Sequence, residues 1–280
     1  PHLSFSFVSW HAHHPDLHSC PTRRSSDLRW FSPLLPQHLK QHIPQIDQAA
    51  ELQWPDPTHN RRMLVLDGCV QSVTNANINA ASARLLDRLG ISLVRVKDSV
   101  CCGAVSQHMT KPETARNFMR RNIDAWWPEV EQGVEAIVTT ASACGVMVKD
   151  YAYLLRDDAG YAEKATRVSE LARDISEVLV AEDLSVLRKS SKKKRVAVHT
   201  PCTLQHGQQL PDSVQTILHA CDFDITPVRD AHICCGAAGT YSILQPEISQ
   251  QLLQNKLECL QEEKPDTIAT PNTGGLAHMP

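Results

Sequence analysis

The stretch VCCGA at 100–104 returns as ICCGA at 233–237, and that recurrence decides the fold. Two adjacent cysteines pair with each other only in a strained ring. A relaxed trans peptide sets their Cα atoms about 3.8 Å apart, closer than a disulfide prefers. Packing gives no reason for neighbouring thiols either. Outward from each pair the match widens. Cys69 precedes Cys101–Cys102 with 31 residues between, and Cys202 precedes Cys234–Cys235 with 31 residues between. Each member of the later set lies 133 positions after its counterpart, which marks an internal duplication.

The chain around these cysteines alternates between strand-like and helix-like patterns. MLVLD at 63–67 reads as a buried strand. After Ser72, a candidate N-cap, Val73, Ala76, Ala80, Ala83 and Leu86 recur at helical spacing, and Gly90 stops the helix. A strand at 92–96 follows. A helix then opens at Pro112 and runs towards Trp127, with Pro128 near its end. The third strand is expected at 135–140, followed by a helix through 151–155. The same order returns later, with strands at 195–200, 223–228 and 267–270 and helices at 213–220 and from Pro246. Pro227 gives the middle of these strands an edge character. The fold class that results is α/β: two pseudo-symmetric cysteine-rich repeats, each a short, mainly parallel sheet flanked by helices.

This plan puts Cys69 and Cys202 after the first strand of their repeats and the double cysteines after the second. Cys144, in TTASACG, follows the third strand of the first repeat. Carboxyl ends of neighbouring strands are where open α/β sheets build sites. Four convergent thiolates suit zinc or an iron–sulfur centre. Structural zinc sites use knuckles with two to four residues between ligands, and no C-x-x-C occurs in the chain. Adjacent thiols suit a multi-iron centre, where each sulfur binds a different iron. The glycine after each pair would let backbone approach sulfide closely. Cys69, Cys101, Cys102, Cys144, Cys202, Cys234 and Cys235 are therefore the candidate metal ligands. Cys221 and Cys259 lack counterparts and read as apolar fillers. His199, His206 and His232 neighbour the second set and are expected to stay neutral or exposed rather than ligate. Gln205 and Tyr241 are candidates for hydrogen bonds to its sulfurs, with plain surface exposure as the alternative.

Composition excludes other classes. Lys plus Arg number 28 against 31 Asp plus Glu, and aromatic residues make up 5%, so the chain has neither the charge nor the stacking groups of a nucleic-acid binder. No apolar run reaches the roughly 18 residues of a membrane span, and no secretory signal opens the chain. A protein inside the cell is expected, where ten cysteines point to metal or redox chemistry more than to disulfides. No G-x-G-x-x-G follows a strand, no phosphate loop occurs, and no nucleophile–base signature is found. No catalytic residue is therefore assigned.

The repeated C-x31-CCG arrangement resembles the CCG cysteine-rich domain of heterodisulfide reductase-like proteins. HTPCTLQHGQ, HICCGAAGTYSILQPEIS, LVLDGCVQ and VTTASACGVMVKDY resemble, over most of 29–278, the iron–sulfur subunits of bacterial glycolate oxidases. The resemblance implies an iron–sulfur cluster of 4Fe–4S type and partner subunits that carry FAD and oxidise glycolate to glyoxylate. It further implies an electron relay towards the membrane quinone pool, in the cytoplasm or peripheral on the inner face of the membrane. Related complexes that oxidise lactate or reduce heterodisulfides share the cysteine plan, and a zinc-stabilised interaction module is the rival from another class. Two departures stand out. The family's N-terminal ferredoxin-like domain, with its two C-x-x-C-x-x-C-x-x-x-C-P runs, has no counterpart here. Gly275 also stands where the family usually has a cysteine, leaving the second set one thiol short.

Five segments are expected. Residues 1–28 contain TRRSSDL, which reads as a translated sequencing adapter, and are expected to be foreign; His11, His13, His14 and Cys20 are accordingly left out of any site. Residues 29–60 are a linker, 61–187 the first repeat, 188–194 a basic hinge and 195–280 the second repeat, expected to be incomplete at its end.

Overall fold

The computed structural model describes residues 53–187 and 194–279. The segment 1–28, most of the expected linker and residues 188–193 of the expected hinge lie outside the described residues.

The first repeat comprises β1 (Arg61–Val65), α1 (Gln71–Thr74), α2 (Asn77–Arg88), β2 (Ile91–Arg95), α3 (Ala104–His108), α4 (Pro112–Glu131), β3 (Ala136–Thr139), α5 (Ser142–Lys149), α6 (Tyr151–Leu154), α7 (Ala162–Leu171), β4 (Ala172–Asp174) and α8 (Ile175–Val180). The second comprises β5 (Arg195–Val198), a π-helical turn (Thr203–Gly207), α9 (Ser213–Ala220), β6 (Asp224–Thr226), α10 (Tyr241–Leu244), α11 (Pro246–Gln261), β7 (Thr267–Ala269) and α12 (Thr273–His278).

All paired strands run parallel, in the orders β2-β1-β3-β4 and β6-β5-β7. The first strand of each repeat therefore lies between the second and third. Parallel strands buried on both faces need helices on both sides, and the core shows this by alternation. Leu64 and Ile137 point to one side, against Met119, Ile123 and Trp126 of α4. Met63, Val65, Ala136 and Val138 point to the other, against Ala83 and Leu86 of α2 and Leu179 of α8. Ile217 and Cys221, from α9 and its C-terminal end, join this second cluster, so the repeats share part of their core. Cys221 and Cys259 are both buried, as fillers should be.

One local expectation is corrected. Ser72 is not the cap of the long helix. It lies inside the short α1, and α2 begins only at Asn77. Gln71 breaks the run: its buried amide donates to Asn79 Oδ1 at 2.7 Å and also to Thr140 Oγ1, tying the turn after Cys69 to the carboxyl end of β3. Val73, counted in the apolar face, is 48% exposed as a result. Helix α4 runs to Glu131 with Pro128 near its end, as expected, because a proline one turn from the end removes only one ladder bond. Strand β4 was not anticipated, since three residues with two charges, Ala-Arg-Asp, carry no strand period.

Candidate metal centres

Each repeat presents its cysteines from three adjacent strand ends. Cys69 follows β1, Cys101–Cys102 follow β2 and Cys144 lies in the first turn of α5 after β3. Cys202 follows β5 and Cys234–Cys235 follow β6, while Gly275 occupies the place of Cys144 after β7.

The four sulfurs of the first repeat come together. Cys69 Sγ is 3.3 Å from Cys101 Sγ, and further thiol contacts run from Cys101 to Cys102 and from Cys102 to Cys144. Cys101 is the acceptor of the group. Hydrogen bonds from the Cys102 and Cys69 thiols and from the Gly103 N–H hold its pKa far below the ordinary thiol range. The same contacts, with burial, push Cys69 and Cys102 up. In the second repeat burial and the neighbouring Cys234 and Cys235 raise Cys202. No disulfide joins any of the seven. Among the described residues no three His, Cys, Asp or Glu side chains converge on a single ion position. A set of soft thiol donors fits an iron–sulfur group.

The glycine of each CCG turn serves the packing of the protein itself. Gly103 and Gly236 have φ of +92° and +85°, and each N–H donates to the first cysteine of its own pair, at 3.4 and 3.3 Å. A Cβ on Gly103 would lie 3.2 Å from the Ala115 carbonyl oxygen, and one on Gly236 only 2.4 Å from that of Ser249. The missing side chain makes room for the following helix, and the N–H serves protein sulfur.

Sequence reasoning missed the residues that hold these turns. Asn122 and Tyr151 are fully buried. Asn122 Oδ1 accepts from the Val100 N–H at 2.7 Å, and its Nδ2 donates to the Cys101 carbonyl at 3.0 Å and to Tyr151 Oη at 3.1 Å. Tyr151 Oη donates to the Cys102 carbonyl at 2.9 Å. Burial pushes the Tyr151 pKa well up and keeps it a donor. In the second repeat Lys256, also fully buried, donates to the carbonyls of Ala231 at 2.7 Å and Asp230 at 3.4 Å. The signal available was a polar residue on the apolar face of each helix.

Among the histidines, His199 is buried and its Nδ1 lies 3.0 Å from Thr270 Oγ1. Desolvation and the nearby Lys256 charge lower its pKa to about 4, so it is neutral. Its ring packs beside Gly275, 3.4 Å from where a Cβ would stand. His206 and His232 are exposed; Gln205 and Tyr241 are half-buried.

The repeats join through the same turns. Ser142 Oγ and Thr203 Oγ1 are 2.7 Å apart, and Thr273 Oγ1 donates to Gln71 Oε1 at 3.2 Å. Gln208 Nε2 donates to the Ser142 carbonyl at 3.0 Å and to Asp174 Oδ2 at 3.3 Å.

Two parallel α/β repeats with a solitary cysteine and a double cysteine at matching strand ends define a class, and the chain belongs to it: the CCG cysteine-rich domain family, whose model matches residues 63–149 and again 196–279. Within that class the chain is 45% identical over 247 residues to the glycolate oxidase iron-sulfur subunit of Escherichia coli K12, covering 88% of this chain and 60% of the relative. It is 28% identical over 216 residues to lactate utilization protein A of Bacillus licheniformis, covering 75% and 87%. To the probable glycolate oxidase iron-sulfur subunit of Bacillus subtilis it is 27% identical over 223 residues, covering 78% and 49%. The chain thus spans between 49% and 60% of the glycolate-type relatives. No helix among the described residues is long and apolar enough to cross a membrane.

Proposed function

We propose that this chain is the iron–sulfur electron-transfer part of a glycolate-oxidising complex. Cys69, Cys101, Cys102 and Cys144 would hold one centre in the unit 61–187. Cys202, Cys234 and Cys235 would hold a second, with one ligand fewer, in the unit 195–280. The observation that carries the reading is the gathering of thiols at matching strand ends in a chain 45% identical to a glycolate oxidase iron-sulfur subunit. Bound iron–sulfur centres, of 4Fe–4S type here, supply one-electron transfer. The protein's own contribution is to fix the thiols and donate N–H groups to them. FAD and the oxidation of glycolate to glyoxylate belong to partner subunits, with electrons passing on towards the membrane quinone pool from a cytoplasmic or membrane-peripheral position.

Lactate is the second reading, because the chain spans 87% of a lactate utilization protein. Anaerobic purification with iron and sulfide analysis and electron paramagnetic resonance tests the reading. Iron with sulfide and a reducible signal supports it; stoichiometric zinc without iron replaces it with a zinc-stabilised interaction module. Co-purified flavoprotein subunits, assayed on glycolate against lactate, decide the substrate.

A further inference from the structure

The two thiol sets are built on the same plan but do not carry the same charge. Helices α4 and α11 each begin with proline and pass beside their own CCG turn. Residues of α11 lie 134 positions after their α4 counterparts, so Pro112 matches Pro246, Ala115 matches Ser249 and Asn122 matches Lys256. The glycine contacts confirm this register, since Gly103 closes on Ala115 and Gly236 on Ser249. At the shared position the first repeat buries the amide of Asn122 and the second buries the amine of Lys256.

The hydrogen bonds of Lys256 go to backbone carbonyls, which orient the ammonium without cancelling its charge. A buried charge is costly unless an opposite charge compensates it. Burial lowers the Lys256 pKa, and the thiols of Cys259, Cys235, Cys202 and Cys234, three of them from the candidate set, act in the opposite direction and favour the charged amine.

We propose that Lys256 is the resident counter-cation of the second thiol set, and that it makes the second centre the more easily reduced of the two. Relative to the first set, the second has one thiolate fewer, at Gly275, and one ammonium more. Reduction by one electron adds negative charge, and a fixed cation in a low-dielectric interior favours the reduced state. Lys256 is a positioning residue: it holds the chain leading into Cys234 and sets the local field. The proposal rests on the reading that both thiol sets hold iron–sulfur centres.

The test is a potentiometric titration of the full chain, purified anaerobically and followed by electron paramagnetic resonance, with iron counted in every sample. Lys256→Met should keep its iron, shift the second centre to more negative potential and leave the first unmoved. Cys259→Ala should leave both potentials in place, showing that the lysine serves the set rather than that single thiol. Cys235→Ala, which needs no change at Lys256, should abolish the higher-potential signal. An unmoved second potential in iron-replete Lys256→Met overturns the proposal. So does loss of the lower-potential signal in Cys235→Ala, or iron bound by the first set alone. Wild-type protein without any iron overturns the underlying reading as well, and is told apart from the other outcomes by the iron count.

Discussion

The first repeat fastens its double-cysteine turn with an asparagine and a tyrosine, and the second fastens the chain before its own turn with a lysine. Around this exchange two others occur at matching positions: Leu66 becomes His199 and Cys144 becomes Gly275. The strand order, the left-handed glycine and the N–H bond to the first sulfur are unchanged. Geometry and charge have thus been varied separately. A turn that orients two adjacent thiols can be kept whole while the groups around it change the field those thiols feel.

The largest effect that would break the comparison is loss of metal. Cys102→Ala and Cys235→Ala should each remove the iron of their own repeat and spare the other. The total would fall to about half when the two centres are of equal size, as read by iron analysis. If either variant loses all iron, the sets are not independent.

The glycines should differ next. Gly236→Ala is expected to cost about 3 kcal/mol or more, because its Cβ would press on a backbone oxygen in a left-handed conformation, whereas Gly103→Ala has more room and should cost about 1–2 kcal/mol. Urea denaturation of the metal-free, reduced protein measures both. Equal costs would refute the tighter fit seen in the second repeat.

His199 supplies a pH contrast of similar or smaller size. Its folded pKa of about 4 lies below the ordinary 6.5, so between those values the unfolded chain binds the proton and the folded chain does not. Stability therefore falls as pH drops from 6.5 to 4, by up to roughly 3 kcal/mol from this group. His199→Leu, which installs the residue of the first repeat, should flatten that part of the profile in denaturation of the metal-free protein. An unchanged slope would show that His199 is not the source.

Tyr151→Phe is the mildest test. It leaves the Cys102 carbonyl and one Asn122 N–H without a partner, for an expected loss of about 1–2 kcal/mol. A neutral outcome in thermal or urea unfolding would mean that Asn122 alone suffices.

Much of this architecture was legible because it rests on signals that sequence carries directly. The repeated spacing located the strand ends, and period and proline placed α4, α9 and α11. What stayed hidden depends on contacts between distant residues. Asn122 looks like one polar residue on an apolar helix face until the turn it serves is folded against it. Ser72 has the chemistry of a cap, yet the buried Gln71 amide, bonded to Asn79 and Thr140, determines where the chain turns. Strand β4 is too short to show a period. The glycine in CCG was expected to make room for sulfide; that it also makes room for a helix shows only in the approach of Ala115 and Ser249.

The hydroxyl contacts at the junction carry a last consequence. Ser142 of the first repeat reaches the turn after Cys202, and Thr273 of the second reaches the turn after Cys69. Each half thereby braces the solitary-cysteine loop of the other. Neither half is a finished building block, and severing the chain between them would leave two loops without their cross-struts.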